Sequence, residues 1–103
     1  MNLKDKVALV TGGASGLGQA TVEAYVNLGA KVVILDINED KANEIINNLG
    51  KENVMFISTD IMKEEPVVEA IDLLKEKYNP LHIAVNCAGT GYPGRILGKE
   101  APH

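Results

Sequence analysis

The sequence predicts an α/β domain: a doubly wound parallel sheet truncated to four strands, in the order 3-2-1-4, with three helices. Three observations predict it. Short β-branched runs alternate along the chain with segments of helical spacing. Those runs are apolar at every position rather than every second one, which is how a strand reads when helices cover both faces of a parallel sheet. The resulting order, β-α-β-α-β-α-β, closes with right-handed crossovers into half of a doubly wound sheet.

The strand runs are Val7 to Val10, Lys31 to Leu35, Val54 to Ile57 and His82 to Val85. In the first helix Leu17, Ala20, Ala24, Tyr25 and Leu28 fall on one face, and Gly29 supplies the stop. Ala42, Ile45, Ile46 and Leu49 form the second stripe, with Asn38 as N-cap and Gly50 as stop. Val67, Ala70, Ile71, Leu74 and Tyr78 form the third. Pro66 suits its first turn, where a missing N–H has no partner to lose, and Pro80 lies just past its end. Met62 stands where a Ser or Thr cap would suit this helix, so a weak start is expected. From Gly89 to His103 no periodicity is visible and the segment reads as loop.

Composition excludes several classes. The chain has 103 residues, room for one domain, and its 46% hydrophobic and 23% charged content is that of a globular chain, not a disordered one. A formal net charge of -4 leaves no basic face for nucleic acid. A single cysteine, Cys87, excludes an internal disulfide and a thiolate metal cluster, and His82 and His103 lie too far apart in sequence to suggest a metal site. No apolar run approaches the roughly 20 residues that span a bilayer, and Met1 to Lys6 is polar and leads directly into a strand, unlike a signal peptide. A soluble, cytoplasmic domain without membrane or nucleic-acid partners is expected.

Thr11-Gly12-Gly13-Ala14-Ser15-Gly16-Leu17-Gly18 joins the first strand to the first helix. Glycines at 12, 16 and 18 let the backbone turn sharply and approach a ligand without Cβ interference. The helix start that follows offers unpaired N–H groups and a partial charge of about +0.5, where a diphosphate fits. Because residue 21 is Thr21, the spacing is G-x-x-x-G-x-G and not G-x-G-x-x-G. A glycine-rich turn with no ligand is the alternative; its place directly after strand one weighs against that.

The string T-G-G-A-S-G-L-G resembles the cofactor-binding signature of the short-chain dehydrogenase/reductase family, which binds NAD(H) or NADP(H) on a Rossmann-type sheet. The resemblance runs from about Lys4 to Gly89. It implies that Gly12, Ser15, Gly16, Leu17 and Gly18 form the cofactor turn.

Three further stations agree. Asp36 ends strand two, where the adenosine ribose lies in a dinucleotide fold. Its carboxylate can accept from both ribose hydroxyls and opposes a 2′-phosphate: two charges about 4 Å apart at an effective dielectric of about 20 repel by roughly 4 kcal/mol before solvent reduces it. No Arg or Lys occupies Ala14, Ser15 or Ile37 to offset this, so NAD (NADH) is favoured over NADP. The alternative is a solvated acid at a strand end. Asp60 and Ile61 follow strand three; the resemblance implies that Asp60 pairs with the adenine amino group and the Ile61 N–H with a ring nitrogen, although Asp60 alone reads as well as a turn residue. Asn86-Cys87-Ala88-Gly89 is similar to the family's N-N-A-G. By resemblance Asn86 ties strands together, Cys87 and Ala88 lie beside the ribose, and Gly89 lets the chain pass the cofactor closely. Cys87 reads as a small buried hydrophobe, with no basic neighbour in sequence to activate it.

The family's chemistry uses a tyrosine with a lysine four residues later, and an upstream serine. Tyr25 is followed at that distance by Gly29, Tyr78 by His82 and Tyr92 by Ile96, so no catalytic residue is assigned. Residues 1–103 are therefore expected to be a single partial NAD-binding domain whose catalytic half is absent, inactive alone. Gly94-Arg95 and Gly98 to His103 are similar to the type II 3-hydroxyacyl-CoA dehydrogenase subfamily, which also accepts hydroxysteroids. A non-catalytic nucleotide-binding or interaction module is the competing reading. A methyltransferase also places a glycine loop after strand one and an acid after strand two, but Thr11 and the N-C-A-G station disfavour it. With strand four at the edge, self-association or pairing with homologous subunits is expected.

Overall fold

The computed structural model describes residues 2–77 and 83–87. The elements are β1 (Val7–Thr11), α1 (Gly16–Asn27), β2 (Lys31–Asp36), α2 (Glu39–Leu49), β3 (Val54–Ser58), α3 (Glu64–Lys77) and β4 (Ile83–Asn86). The strands form one sheet in the order β3-β2-β1-β4, and every pairing is parallel. Its register sets Thr11 beside both Leu35 and Asn86, and Asp36 beside Ser58, so the carboxyl ends of all four strands lie along one rim.

The apolar runs are uninterrupted because successive residues serve two cores. Val7, Leu9, Val33 and Leu35 pack on one face with Val67, Ala70, Ile71 and Leu74 of α3. Ala8, Val10, Val32 and Ile34 pack on the other with Val22 of α1 and Ile45 of α2. Leu9 and Ile34 are fully buried. A Leu9→Ala variant is expected to lose about 2–5 kcal/mol, the transfer term plus a cavity, as a lower urea midpoint at unchanged slope. The outer strands are less protected: Met55, Phe56 and Ile57 of β3 and Ile83, Ala84 and Val85 of β4 are half-buried.

The second and third helices present the faces expected of them. Ala42 and Ile45 are buried in α2, Asn38 Oδ1 accepts from Lys41 N at 3.1 Å, and Gly50 takes φ 100° at the end. The four α3 residues Val67, Ala70, Ile71 and Leu74 are buried, and Pro66 lies in the first turn.

The first helix corrects the sequence reading. Its buried residues are Gly18 and Val22, with Tyr25 and Val26 half-buried, whereas Leu17 is 69% exposed and Ala20 and Ala24 are exposed. Apolar residues lie on most sides of α1, so periodicity alone left the rotation of the helix undetermined. The glycine turn sets that rotation, because α1 comes so close to it that only a glycine fits at position 18. Met62 is a second correction. The helix begins at Glu64, so the cap position falls on Lys63, and Glu64 and Glu65 in the first turn complement the helix dipole. Tyr78, Pro80, His82 and the stretch from Ala88 onward lie outside the described residues.

Candidate functional site

At the end of β1 the chain turns through Gly12, whose φ of 71° is a left-handed conformation that side chains with a Cβ rarely adopt. The Gly12 N–H donates to Leu35 O at 2.8 Å, which holds the start of the turn against β2. Its carbonyl accepts from Ser15 N at 3.0 Å and from Ser15 Oγ at 2.7 Å. Ser15 is also the N-cap of α1: its Oγ accepts from Gly18 N at 3.0 Å, while its carbonyl takes Gln19 N at 2.7 Å. The Ser15 hydroxyl thus joins both ends of the turn.

Between these tied points the N–H groups of Gly16 and Leu17 have no partner among the described residues. A Cβ built on Gly16 would meet no atom of the described residues within 4 Å. Gly18 is the opposite case, since its Cβ would fall 2.7 Å from Gly13 Cα and closer still to the Gly12 carbonyl oxygen. The fold requires a glycine at 18 and does not require one at 16. Unlike α2 and α3, α1 carries no acid in its first turn.

Asp36, at the end of β2, is 8% exposed. Its Oδ1 accepts from Ile37 N at 2.7 Å and Asn38 N at 3.1 Å, and its Oδ2 from Ala14 N at 3.1 Å. Its own carbonyl accepts from Thr59 N at 2.9 Å, which draws the end of β3 alongside. Thr59 is buried, with its hydroxyl donating to Ile57 O at 3.1 Å. Beyond it Asp60 Oδ1 accepts from Met62 N at 3.1 Å and Oδ2 lies 3.9 Å from Lys63 Nζ. Ile61 is half-buried against the α3 core.

Asn86 is the last residue of β4, paired with Thr11. Cys87 N donates to Thr11 O at 2.9 Å, and Cys87 Sγ lies 3.7 Å from Thr21 Oγ1 on α1. The half-buried thiol packs with the α1–α2 core, as expected of a small hydrophobe. Ala88 and Gly89 lie outside the described residues.

The residues singled out by sequence therefore gather on one rim. Gly12, Ser15, Gly16, Leu17 and Gly18 form the turn after β1, Asp36 and Ile37 stand beside it, and Asp60 and Ile61 follow through the Thr59 link. Sequence reasoning missed Ala14, Thr59 and Thr11, whose roles are backbone bonds that leave no signature in residue type. Three large apolar side chains beyond the strand ends are exposed: Leu17 in the first turn of α1 and Ile37 after β2, both singled out by sequence, and Met62 after β3, which sequence read only as a poor helix cap, at 69%, 67% and 72%. Among the described residues no helix is long and apolar enough to cross a membrane, and no group of three or more His, Cys, Asp or Glu could hold a metal ion.

A family model described as short chain dehydrogenase matches residues 6–100. The chain belongs to the short-chain dehydrogenase family. Among family members, it is 44% identical to a 3-hydroxyacyl-CoA dehydrogenase type-2 of Drosophila melanogaster over 85% of this chain and 34% of that protein. The type-2 enzyme of Bos taurus is 43% identical over 99% of this chain and 40% of its own length. This chain therefore spans between a third and two-fifths of these short-chain dehydrogenase relatives. A solved 3-ketoacyl-(acyl-carrier-protein) reductase from Brucella melitensis, complexed with NADH, superposes with a TM-score of 0.71 at 32% identity, over 81% of this chain and 34% of that one. A short chain dehydrogenase from Bacillus anthracis reaches a TM-score of 0.84 over 95% of this chain and 50% of its own; at 22% identity it speaks for the fold alone.

Proposed function

We propose that this chain is the NAD(H)-binding portion of a short-chain dehydrogenase/reductase acting on a hydroxyl/carbonyl pair. The observation that carries the reading is Gly16: a glycine whose Cβ would meet no atom of the described residues, beside two N–H groups without partners among them. A turn shaped only for folding has no use for that glycine, whereas a diphosphate seated on the Gly16 and Leu17 N–H groups has. The remaining residues fit the rest of a dinucleotide. Asp36 offers its carboxylate to the adenosine ribose, and Ile37, Asp60 and Ile61 border the adenine. When bound, the nicotinamide exchanges hydride with the substrate carbon. The part of this chain is to anchor the coenzyme.

The Asp36 carboxylate favours NAD over NADP, since a 2′-phosphate would meet a buried carboxylate with no basic neighbour in the turn. Calorimetric titration with NADH, NADPH and ADP-ribose tests both points. NADH and ADP-ribose are expected to bind, with NADH ahead of NADPH by about tenfold or more, a difference of about 1.4 kcal/mol. In Asp36→Ala that preference should vanish. Equal affinities in the starting protein would remove the role given to Asp36.

The names of the two type-2 relatives support a 3-hydroxyacyl-CoA as the substrate class of the whole enzyme; a hydroxysteroid rests on the sequence resemblance alone. No tyrosine here has a lysine four residues on, which favours a second reading for the chain by itself: a non-catalytic nucleotide-binding or interaction module. The two readings separate on turnover by the full-length natural protein, since only the dehydrogenase oxidises a 3-hydroxyacyl-CoA with NAD, whereas these 103 residues alone are expected to be inactive under either. The same reading carries a cytoplasmic location. Among the described residues β4 pairs with β1 alone, and its free edge carries half-buried apolar side chains. Sedimentation of the 103-residue chain at tens of micromolar is expected to report dimers or larger species; a sharp monomer boundary would overturn that expectation.

A further inference from the structure

Asp36 does more than wait for a sugar. Two of its three hydrogen bonds are local, to Ile37 N and Asn38 N, and shape the exit from β2. The third reaches back 22 residues to Ala14 N, in the middle of the glycine turn. The ends of that turn are tied by Ser15, through Gly12 O and Gly18 N. Its middle is held by Asp36, with Ala14 only 5% exposed and Gly13 seated so closely on Ile34 that a Cβ would come within 2.9 Å of the side chain. A carboxylate has about four acceptor positions. Three are occupied, so about one remains, on Oδ2, for an incoming hydroxyl.

We propose that Asp36 is the positioning residue of the phosphate turn: by holding the Ala14 N–H it fixes the turn so that the Gly16 and Leu17 N–H groups stay ready for a diphosphate. The proposal rests on the dinucleotide reading and goes beyond it, because it makes phosphate binding depend on a residue that does not touch phosphate. Sugar and phosphate recognition then share one carboxylate, and losing it weakens both.

The sign of one measurement separates this from simple electrostatics. Inorganic pyrophosphate carries no ribose. If Asp36 acts only as a nearby negative charge, neutralising it raises pyrophosphate affinity. If Asp36 holds the turn, affinity falls despite the lost repulsion, because a smaller fraction of the chain keeps the binding-competent turn. Asp36→Asn preserves shape and can still accept from Ile37 and Asn38 with its oxygen, but then turns a donor toward the Ala14 N–H. Its pyrophosphate affinity is expected to fall by about fivefold. Asp36→Ala, which keeps none of the three bonds, should fall at least as far.

Amide hydrogen exchange supplies a readout without ligand. In the starting chain the Ala14 N–H should exchange slowly and those of Gly16 and Leu17 fast. In Asp36→Asn the Ala14 protection should disappear while the Gly12 N–H bonded to Leu35 O keeps its own, which shows that the sheet remains folded. Ala14 exchanging as fast as Gly16 in the starting chain would overturn the proposal, as would unchanged or raised pyrophosphate affinity in the variants while NADH binding to the starting chain persists. A starting chain that binds neither pyrophosphate nor NADH would overturn the dinucleotide reading and this proposal with it.

Discussion

A Gly18→Ala variant is expected to lose about 3 kcal/mol or more of stability and with it any dinucleotide binding. The new methyl would lie 2.7 Å from the Gly12 carbonyl carbon and 2.7 Å from Gly13 Cα, and closer to the Gly12 oxygen. All three are backbone atoms, which cannot swing aside as the end of a flexible side chain can. Overpacking of this kind costs about 1–3 kcal/mol. Moving α1 away to relieve it also stretches the bond from Gly18 N to Ser15 Oγ, a helix cap worth about 1 kcal/mol. Small domains have only about 5–15 kcal/mol in total, so the variant should unfold at a clearly lower urea concentration by circular dichroism. An unchanged midpoint would mean that α1 does not rest on the turn as described.

Gly16→Ala, two residues away, is expected to behave in the opposite manner. The methyl meets no atom of the described residues within 4 Å, and residue 16 is the first of α1, so the denaturation midpoint should stay where it is or rise slightly, because alanine has the better helix propensity. Dinucleotide affinity should nevertheless fall by about tenfold or more, since the methyl occupies the space into which the diphosphate must come to reach the Gly16 and Leu17 N–H groups. Calorimetry and denaturation on the same sample check both halves. If this variant binds NADH as tightly as the starting chain, Gly16 is not where the phosphates sit. If it unfolds as Gly18→Ala does, the open space beside it is not open. The pair of variants separates glycine kept for the fold from glycine kept for a ligand, which a sequence string cannot do.

Much of this molecule was legible in its residues. The strand runs, the caps at Asn38 and Gly50 and the faces of α2 and α3 follow from local chemistry, where each side chain has one stable choice. So does the gathering of Gly12 to Gly18, Asp36, Asp60 and Ile61 on one rim, because parallel strands joined by helices bring all their carboxyl ends to the same side. The misreadings have an equally physical origin. In α1 an apolar surface on most sides left the rotation of the helix undetermined, and Leu17 was assigned to the core face although it stands 69% exposed. At the start of α3 the bonds of Asp60 to Met62 N and of Lys63 N to Asp60 O carry the chain one residue further before the helix begins.

Local chemistry set the alternation of elements, the parallel sheet they imply and the glycine turn with its acid at the end of β2, because propensity, hydrophobic period and chain connectivity act over short distances. Packing in three dimensions selected which side of α1 is buried, which of two nearby glycines the fold demands, and that Asp36 reaches Ala14 across 22 residues. Those outcomes are set by close approach between segments distant in the chain. No residue-by-residue pattern records how near two backbones come to lie.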